Sequence, residues 1–352
     1  MLYSYPIDAT ADNWLHDCLY EMLRSIHNSL QNGQEPPEWP NIIPEAVRTK
    51  LHGRTGVRDR LRTYGQRLAM LPPHERNRVF RALEYQNRIQ DLVSCTCNCE
   101  SILDLPESIR DPVKDLFGFV FALLTDFGVR DTHYQKIYYS VQYPVCPFCG
   151  CEYFDAPGAP REDLDHYLAK NHYPFAAVNL RNLVPMGAKC NSRYKFTQDI
   201  LKKVDGTRRR SFDPYNSVGV KISLDNSEPF AGVNGQLPAW QIEFDRDIEE
   251  VTTWDDVFQI RTRYERDILD RSFKSWLSDF SSWCRSFGVK LASHDEIKDA
   301  VGRYAEYLDT MGIRDFLKAA VFRMLYRHCA EGHERLVSFM KDLAIGTDRQ
   351  AA

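Results

Sequence analysis

The sequence predicts an α+β chain, with helical regions at both ends of a central segment that is different in kind. Three observations predict it. Apolar residues recur at helical spacing before residue 140 and again from Trp254 onward. Between these stretches, 141–212 concentrates cysteines, asparagines and prolines. At 218–224 and 240–244 apolar and polar residues alternate, which is the period of a strand with one buried face. The expected organisation is a helical region over 1–140, a central module over 141–212, a β-strand extension over 213–246 and a helical region over 247–352.

The elements follow in order. Trp14, Leu15, Cys18, Leu19, Met22, Leu23 and Ile26 form one apolar face, and Pro36, Pro37 and Pro40 end that helix. Leu51 to Leu71 and Glu75 to Val93 read as two amphipathic helices divided by Pro72-Pro73. Pro112 stands where a first-turn proline belongs, ahead of a buried helix. A helix from about Asp131 to Ser140 leads into the cysteines. Val218, Val220, Ile222 and Leu224 predict one strand, Trp240, Ile242 and Phe244 another, with Gly232 and Asn234-Gly235 turning between them. The stripe from Val257 to Trp283 is a helical core face that closes near Gly288. Ser293-x-x-Glu296 is a capping box opening the next helix, and 314–343 supplies one or two more.

Composition narrows the function. The chain has 352 residues, enough for two or three units. Its formal charge is −4, from 45 basic and 49 acidic side chains, so any contact with nucleic acid depends on a local patch. The apolar run Leu116–Leu124 is too short to cross a bilayer, and the first residues lack a signal-peptide pattern. A cytoplasmic protein without membrane contact is expected. Neither a phosphate-cradling Gly-x-x-x-x-Gly-Lys loop nor a dinucleotide fingerprint occurs.

Ten cysteines in a cytoplasmic chain call for an explanation other than disulfides. Cys18, Cys284 and Cys329 stand alone as small hydrophobes. Cys95, Cys97 and Cys99 form a run that reads either as a metal group or as irregular buried thiols. Cys146, Cys149 and Cys151 cluster, and Cys190 follows. Beyond the first knuckle come Leu164-Asp165-His166-Tyr167-Leu168, Arg181-Asn182-Leu183-Val184-Pro185 and Lys189-Cys190-Asn191-Ser192-Arg193-Tyr194-Lys195. Sixteen positions separate His166 from Asn182, and nine separate Asn182 from Asn191.

These segments resemble the HNH endonucleases, the ββα-metal class of nucleases, over about 60 residues. Phe212-Asp213-Pro214-Tyr215 is similar to a segment that follows the helix in HNH proteins of bacterial anti-phage defence. The resemblance implies a central ββα-metal module hydrolysing DNA, with RNA not excluded. It implies that His166 is the general base and that Asn182 orients its ring. Asp165 and Asn191 would hold a catalytic Mg²⁺ or Mn²⁺. A neutral imidazole can take a proton from water at physiological pH, and a hard cation on oxygen ligands neutralises phosphate charge. Lys195, on the helical face of Asn191, stands where some members carry a metal-binding His and is read, with Arg193, as a phosphate contact. His172 fits the spacing less well and is expected at the surface.

Many HNH modules also hold a structural zinc between two Cys-x-x-Cys knuckles. Here Cys146, Cys149 and Cys190 are in place, and Gly187 stands at the fourth position. Cys151, one of the Cys95–Cys99 group or a His could complete the set. Residues 181–210 carry nine positive and two negative side chains, including Arg208, Arg209 and Arg210, and read as a phosphate-backbone patch. The flanks are expected to serve partner binding, dimerisation or activity control. Double-strand cleavage would need two copies or two events, and any ATPase partner is a separate chain. The alternative reading is a zinc-stabilised nucleic-acid or protein-binding module whose nuclease site is inactive.

Overall fold

The structure, a computed structural model, describes residues 1–159, 164–232 and 235–346. It mixes helix and sheet and is mostly helical, with two small antiparallel hairpins among the described residues. The chain divides into two compact units. The first comprises essentially Tyr3–Val218 together with Thr252–Phe258, and the second Gly219–Val251 and the residues from Gln259 onward. The N-terminal helices and the cysteine-rich segment belong to a single unit, and 213–218 goes with them.

In the first unit, α1 (Trp14–Gln31) buries the predicted stripe. The expected helix over Leu51–Leu71 is present as α3 (Thr55–Ala69), and a short helix not expected from the sequence, α2 (Glu45–Leu51), precedes it across His52-Gly53-Arg54. The next is α4 (Pro73–Gln86) and α5 (Ile89–Val93). Asn87 lies in the break because its side chain is used elsewhere, donating to the carbonyls of Leu83 and Phe175. Pro112 opens no helix. It lies inside α6 (Glu107–Asp126), because buried Ile109 continues the apolar stripe of Val113, Leu116 and Phe117 toward the N-terminus. Helix α3 packs on α6 at Gly56, where a Cβ would come within 2.4 Å of the Phe119 ring and would have to displace it. Helix α7 (Val129–Ser140) leads to the cysteine turn.

Strands β1 (Leu164–His166) and β2 (Leu183–Pro185) pair antiparallel, with Asp165 opposite Val184 and His166 opposite Leu183. The N-terminal segment backs this hairpin. The Tyr5 hydroxyl donates to the Pro185 carbonyl at 2.6 Å. The His133 ring sits between the carbonyls of Ala9 and Leu183, at 2.9 and 3.0 Å. Helix α8 (Glu249–Phe258) joins this unit from Thr252, its Trp254 indole donating to the Phe148 carbonyl at 2.8 Å.

The second unit holds β3 (Ile222–Ser223) and β4 (Glu243–Phe244), each much shorter than the alternation predicts. Asn234 of the expected turn lies outside the described residues. Then come α9 (Ile260–Arg263), a wide turn at Tyr264–Leu269, α10 (Asp270–Ser286), α11 (His294–Thr310), α12 (Phe316–Ala330) and α13 (Glu334–Gly346). The Ser293–Glu296 capping box is present. Phe280, Tyr304 and Phe322 meet with ring centroids 4.7–5.4 Å apart, so the aromatic stripe is core.

Candidate functional site

The β1–β2 hairpin and the turn after it place Asp165, His166 and Lys195 side by side, and the loop between the strands carries Asn182. Its connecting loop, 167–182, is held by side-chain amides from the N-terminal helices. Gln86 accepts from the Phe175 N–H, Asn13 accepts from the Leu180 N–H, and Asn179 donates to Asn87. Phe175 packs edge-on against Phe117 of α6 at 5.3 Å. The N-terminal helices therefore build the loop that supports the site.

His166 ends β1 and is 8 % exposed. Its Nε2 lies 3.0 Å from the Ala177 carbonyl, an acceptor, so Nε2 carries the proton and Nδ1 the lone pair. The ring packs on Phe121 of α6 at 4.5 Å. Burial, then the charge of Lys170, lowers its pKa to about 3, with Lys195 and Arg130 acting in the same direction. The imidazole is neutral at physiological pH, and cations surround it.

Asn182 is fully buried. Its Oδ1 accepts from the Leu168 N–H at 2.6 Å, and its Nδ2 donates to the carbonyls of Leu168 and Ala176 at 3.1 and 3.2 Å. It does not grip the His166 ring directly, as the resemblance implies. It ties the two ends of the loop together, beside the Ala177 carbonyl that holds the ring.

Asp165 and Lys195 differ most from expectation. Lys195 is 1 % exposed, and its Nζ lies 2.7 Å from Asp165 Oδ2 and donates to the His166 carbonyl at 2.9 Å. It is not a surface phosphate contact. The segment Cys190–Lys195 winds as a wide π-type turn, and the turn carries this side chain inward under β1. Asn191 is half-buried at the start of the same turn, while Arg193 is exposed and free to meet solvent-borne anions. His172 is half-buried, and its backbone carbonyl accepts from Ile102.

Part of the basic run is structural. Arg208 donates to the carbonyls of Leu92 and Leu201, at 2.7 and 3.2 Å. Arg209 is buried and donates to the Asp199 carbonyl, and Arg181 pairs with Asp213 at 2.6 Å. Arg210 is exposed. A run of charge in sequence does not reveal that two neighbours, Arg208 and Arg209, turn to backbone carbonyls while Arg210 stays exposed.

A second cluster lies at the far end of the hairpin. The sulfurs of Cys146, Cys149 and Cys190 all lie within 4.8 Å of one another, and all three residues are buried. Burial raises the Cys146 thiol well above its ordinary pKa, and the two neighbouring sulfurs raise it further. Three such thiols packed together fit a soft cation that would ionise them, and zinc suits that donor set. The knuckle is a tight turn: the Gly150 N–H donates to the Cys146 carbonyl at 2.7 Å, and Gly150 takes a positive φ of 68°. Cys151, named above as a possible ligand, lies outside the cluster. It is exposed, and its thiol donates to the Cys149 carbonyl. Cys95, Cys97 and Cys99 form no metal group among the described residues, and burial pushes the Cys99 thiol up to about 12.

Sequence reasoning overlooked Glu152. The backbone N–H groups of Lys189 and Cys190 donate to its two carboxylate oxygens, at 2.9 and 3.4 Å, and Oε2 lies 3.8 Å from Cys149 Sγ. The signal was present at Gly187, where the cysteine pattern is broken. Against known proteins, no family model, curated protein or solved structure matches this chain.

Proposed function

We propose that the chain is a metal-dependent endonuclease of the HNH type that hydrolyses DNA phosphodiester bonds, in the setting of bacterial anti-phage defence. The observation that carries this reading is the placement of His166, whose Nε2 is fixed on the Ala177 carbonyl so that Nδ1 is the proton acceptor. The lowered pKa keeps the ring neutral but makes it a weak base, and the negative charge of a bound phosphate would offset the cations that lower it. With Nε2 protonated, Nδ1 takes a proton from water as the water oxygen attacks phosphorus. A P–O bond then breaks, and the leaving oxygen acquires a proton from solvent. Asp165, beside His166 on β1, and Asn191 on the following turn are the residues that would hold Mg²⁺ or Mn²⁺. Bound there, the cation supplies charge neutralisation at the phosphorus and the leaving oxygen. Asn182 fixes the loop that fixes the base. Lys170 and Arg130, which depress the His166 pKa, attract the phosphate.

The second reading, a binding module with an inactive nuclease site, is favoured by one observation. The Lys195 ammonium occupies an oxygen of Asp165 that a divalent cation would need. Nicking of supercoiled plasmid, measured with Mg²⁺ or Mn²⁺ and with chelator, separates the readings. The nuclease reading expects metal-dependent open circles. Binding without nicking in either metal supports the second reading.

A further inference from the structure

The second knuckle lacks a cysteine, and the space it would fill is taken. A Cβ built on Gly187 would come within 2.6–2.8 Å of the Glu152 side chain, including carboxylate Oε2 at 2.6 Å. The Glu152 side chain therefore stands where a side chain at 187 would stand. It reaches that place because Cys146 and Glu152 face each other across the knuckle, with the Cys146 N–H donating to the Glu152 carbonyl at 2.8 Å.

We propose that Glu152 is the fourth ligand of a zinc site whose other ligands are Cys146, Cys149 and Cys190. The geometry points to it on three counts. Thiolates at about 2.3 Å from a tetrahedral zinc lie about 3.8 Å from one another. The three sulfurs lie within 4.8 Å of one another, and the Glu152 carboxylate stands beside one of them, Oε2 3.8 Å from Cys149 Sγ, without lying that close to all three. Zinc accepts carboxylate oxygen as well as thiolate, and structural sites take four protein ligands. The N–H groups of Lys189 and Cys190 hold the carboxylate in place, as partners of ligating carboxylates commonly do. Gly187 and Glu152 are then a matched pair: losing the cysteine side chain at 187 makes room for the carboxylate that replaces it.

The competing role for Glu152 is to cap the turn that begins at Ala188. Metal readouts separate the two, independently of whether the protein cleaves DNA. Wild-type protein stripped of metal is titrated with Co²⁺ for its ligand-field spectrum, and with Zn²⁺ against a chromogenic chelator. Glu152→Gln keeps an oxygen to accept the two N–H bonds but is a poor ligand. It is expected to shift the Co²⁺ bands and to weaken Zn²⁺ at least tenfold. Glu152→Ala combined with Gly187→Cys places a thiolate in the vacated space. It is expected to regain tight Zn²⁺ binding, with added sulfur-to-cobalt charge transfer. A Glu152→Gln protein with wild-type spectrum and affinity overturns the assignment and leaves Glu152 a cap. So does a double variant that binds no more tightly than Glu152→Ala alone. Wild-type protein that takes up neither metal overturns the zinc site altogether.

Discussion

Replacing Lys195 by methionine removes the ammonium from Asp165 while keeping most of the buried volume. Lys195 is 1 % exposed and Asp165 12 %, so water repays little of the lost attraction. Breaking a buried pair by deleting one partner costs about 3–5 kcal/mol, because the other charge is left behind. The Lys195 bond to the His166 carbonyl is lost as well. For a unit of this size, each kcal/mol moves the melting temperature by about 2–4 °C, so Lys195→Met should melt about 6–20 °C below wild type. The same change frees a carboxylate oxygen for Mg²⁺ or Mn²⁺. Metal should therefore raise the melting temperature of the variant more than that of wild type, and this extra gain should vanish when Asp165→Asn is added. Differential scanning fluorimetry with and without metal reads both effects. A variant that melts within about 2 °C of wild type would refute the buried pair. Equal metal shifts in the two proteins would refute Asp165 as a cation ligand.

Two further outcomes follow from buried groups. Asn182→Ala leaves the Leu168 N–H and the Ala176 carbonyl without their partner, and should cost about 3 kcal/mol and lower cleavage. A melting temperature close to wild type in calorimetry would show that the loop is held without it. His27 is buried against the Tyr64 hydroxyl, and burial, with Arg76 adding to it, lowers its pKa to about 4. The unfolded chain, with its ordinary value near 6.5, binds this proton first as pH falls. The contribution is therefore full above pH 6.5 and is lost between 6.5 and 4, to a total of about 3 kcal/mol. Urea unfolding of His27→Leu should lose less stability across that window than wild type. Parallel pH curves would contradict it.

The sequence made the helices of the first unit and the aromatic core of the second legible because periodicity reports burial of one face, as in α1 and α10. The Ser293 capping box was legible because it is local chemistry. The breaks were not: Asn87 interrupts a helix to bond across the fold to Phe175, and nothing in its neighbours encodes that. The strands around Ile222 and Phe244 were overestimated in length because alternation shows which face is apolar but not how far a partner strand runs. At the site, the resemblance singled out Asp165, His166 and Asn182, which the hairpin and its loop carry, and the cysteine pattern pointed to the three thiols that do cluster. Sequence reasoning missed the inward turn of Lys195, set by the winding of Cys190–Lys195. It also missed Glu152, whose reach depends on the empty space at Gly187.

The central claim, that His166 is the base of a nuclease, is tested most directly by plasmid nicking with purified wild-type and His166→Ala proteins in parallel. DNA binding and metal uptake are measured on the same samples. The account predicts metal-dependent nicking by wild type, a loss of ~10²–10⁴-fold in the variant, and DNA and metal binding retained by both. Nicking by His166→Ala at the wild-type rate would contradict it.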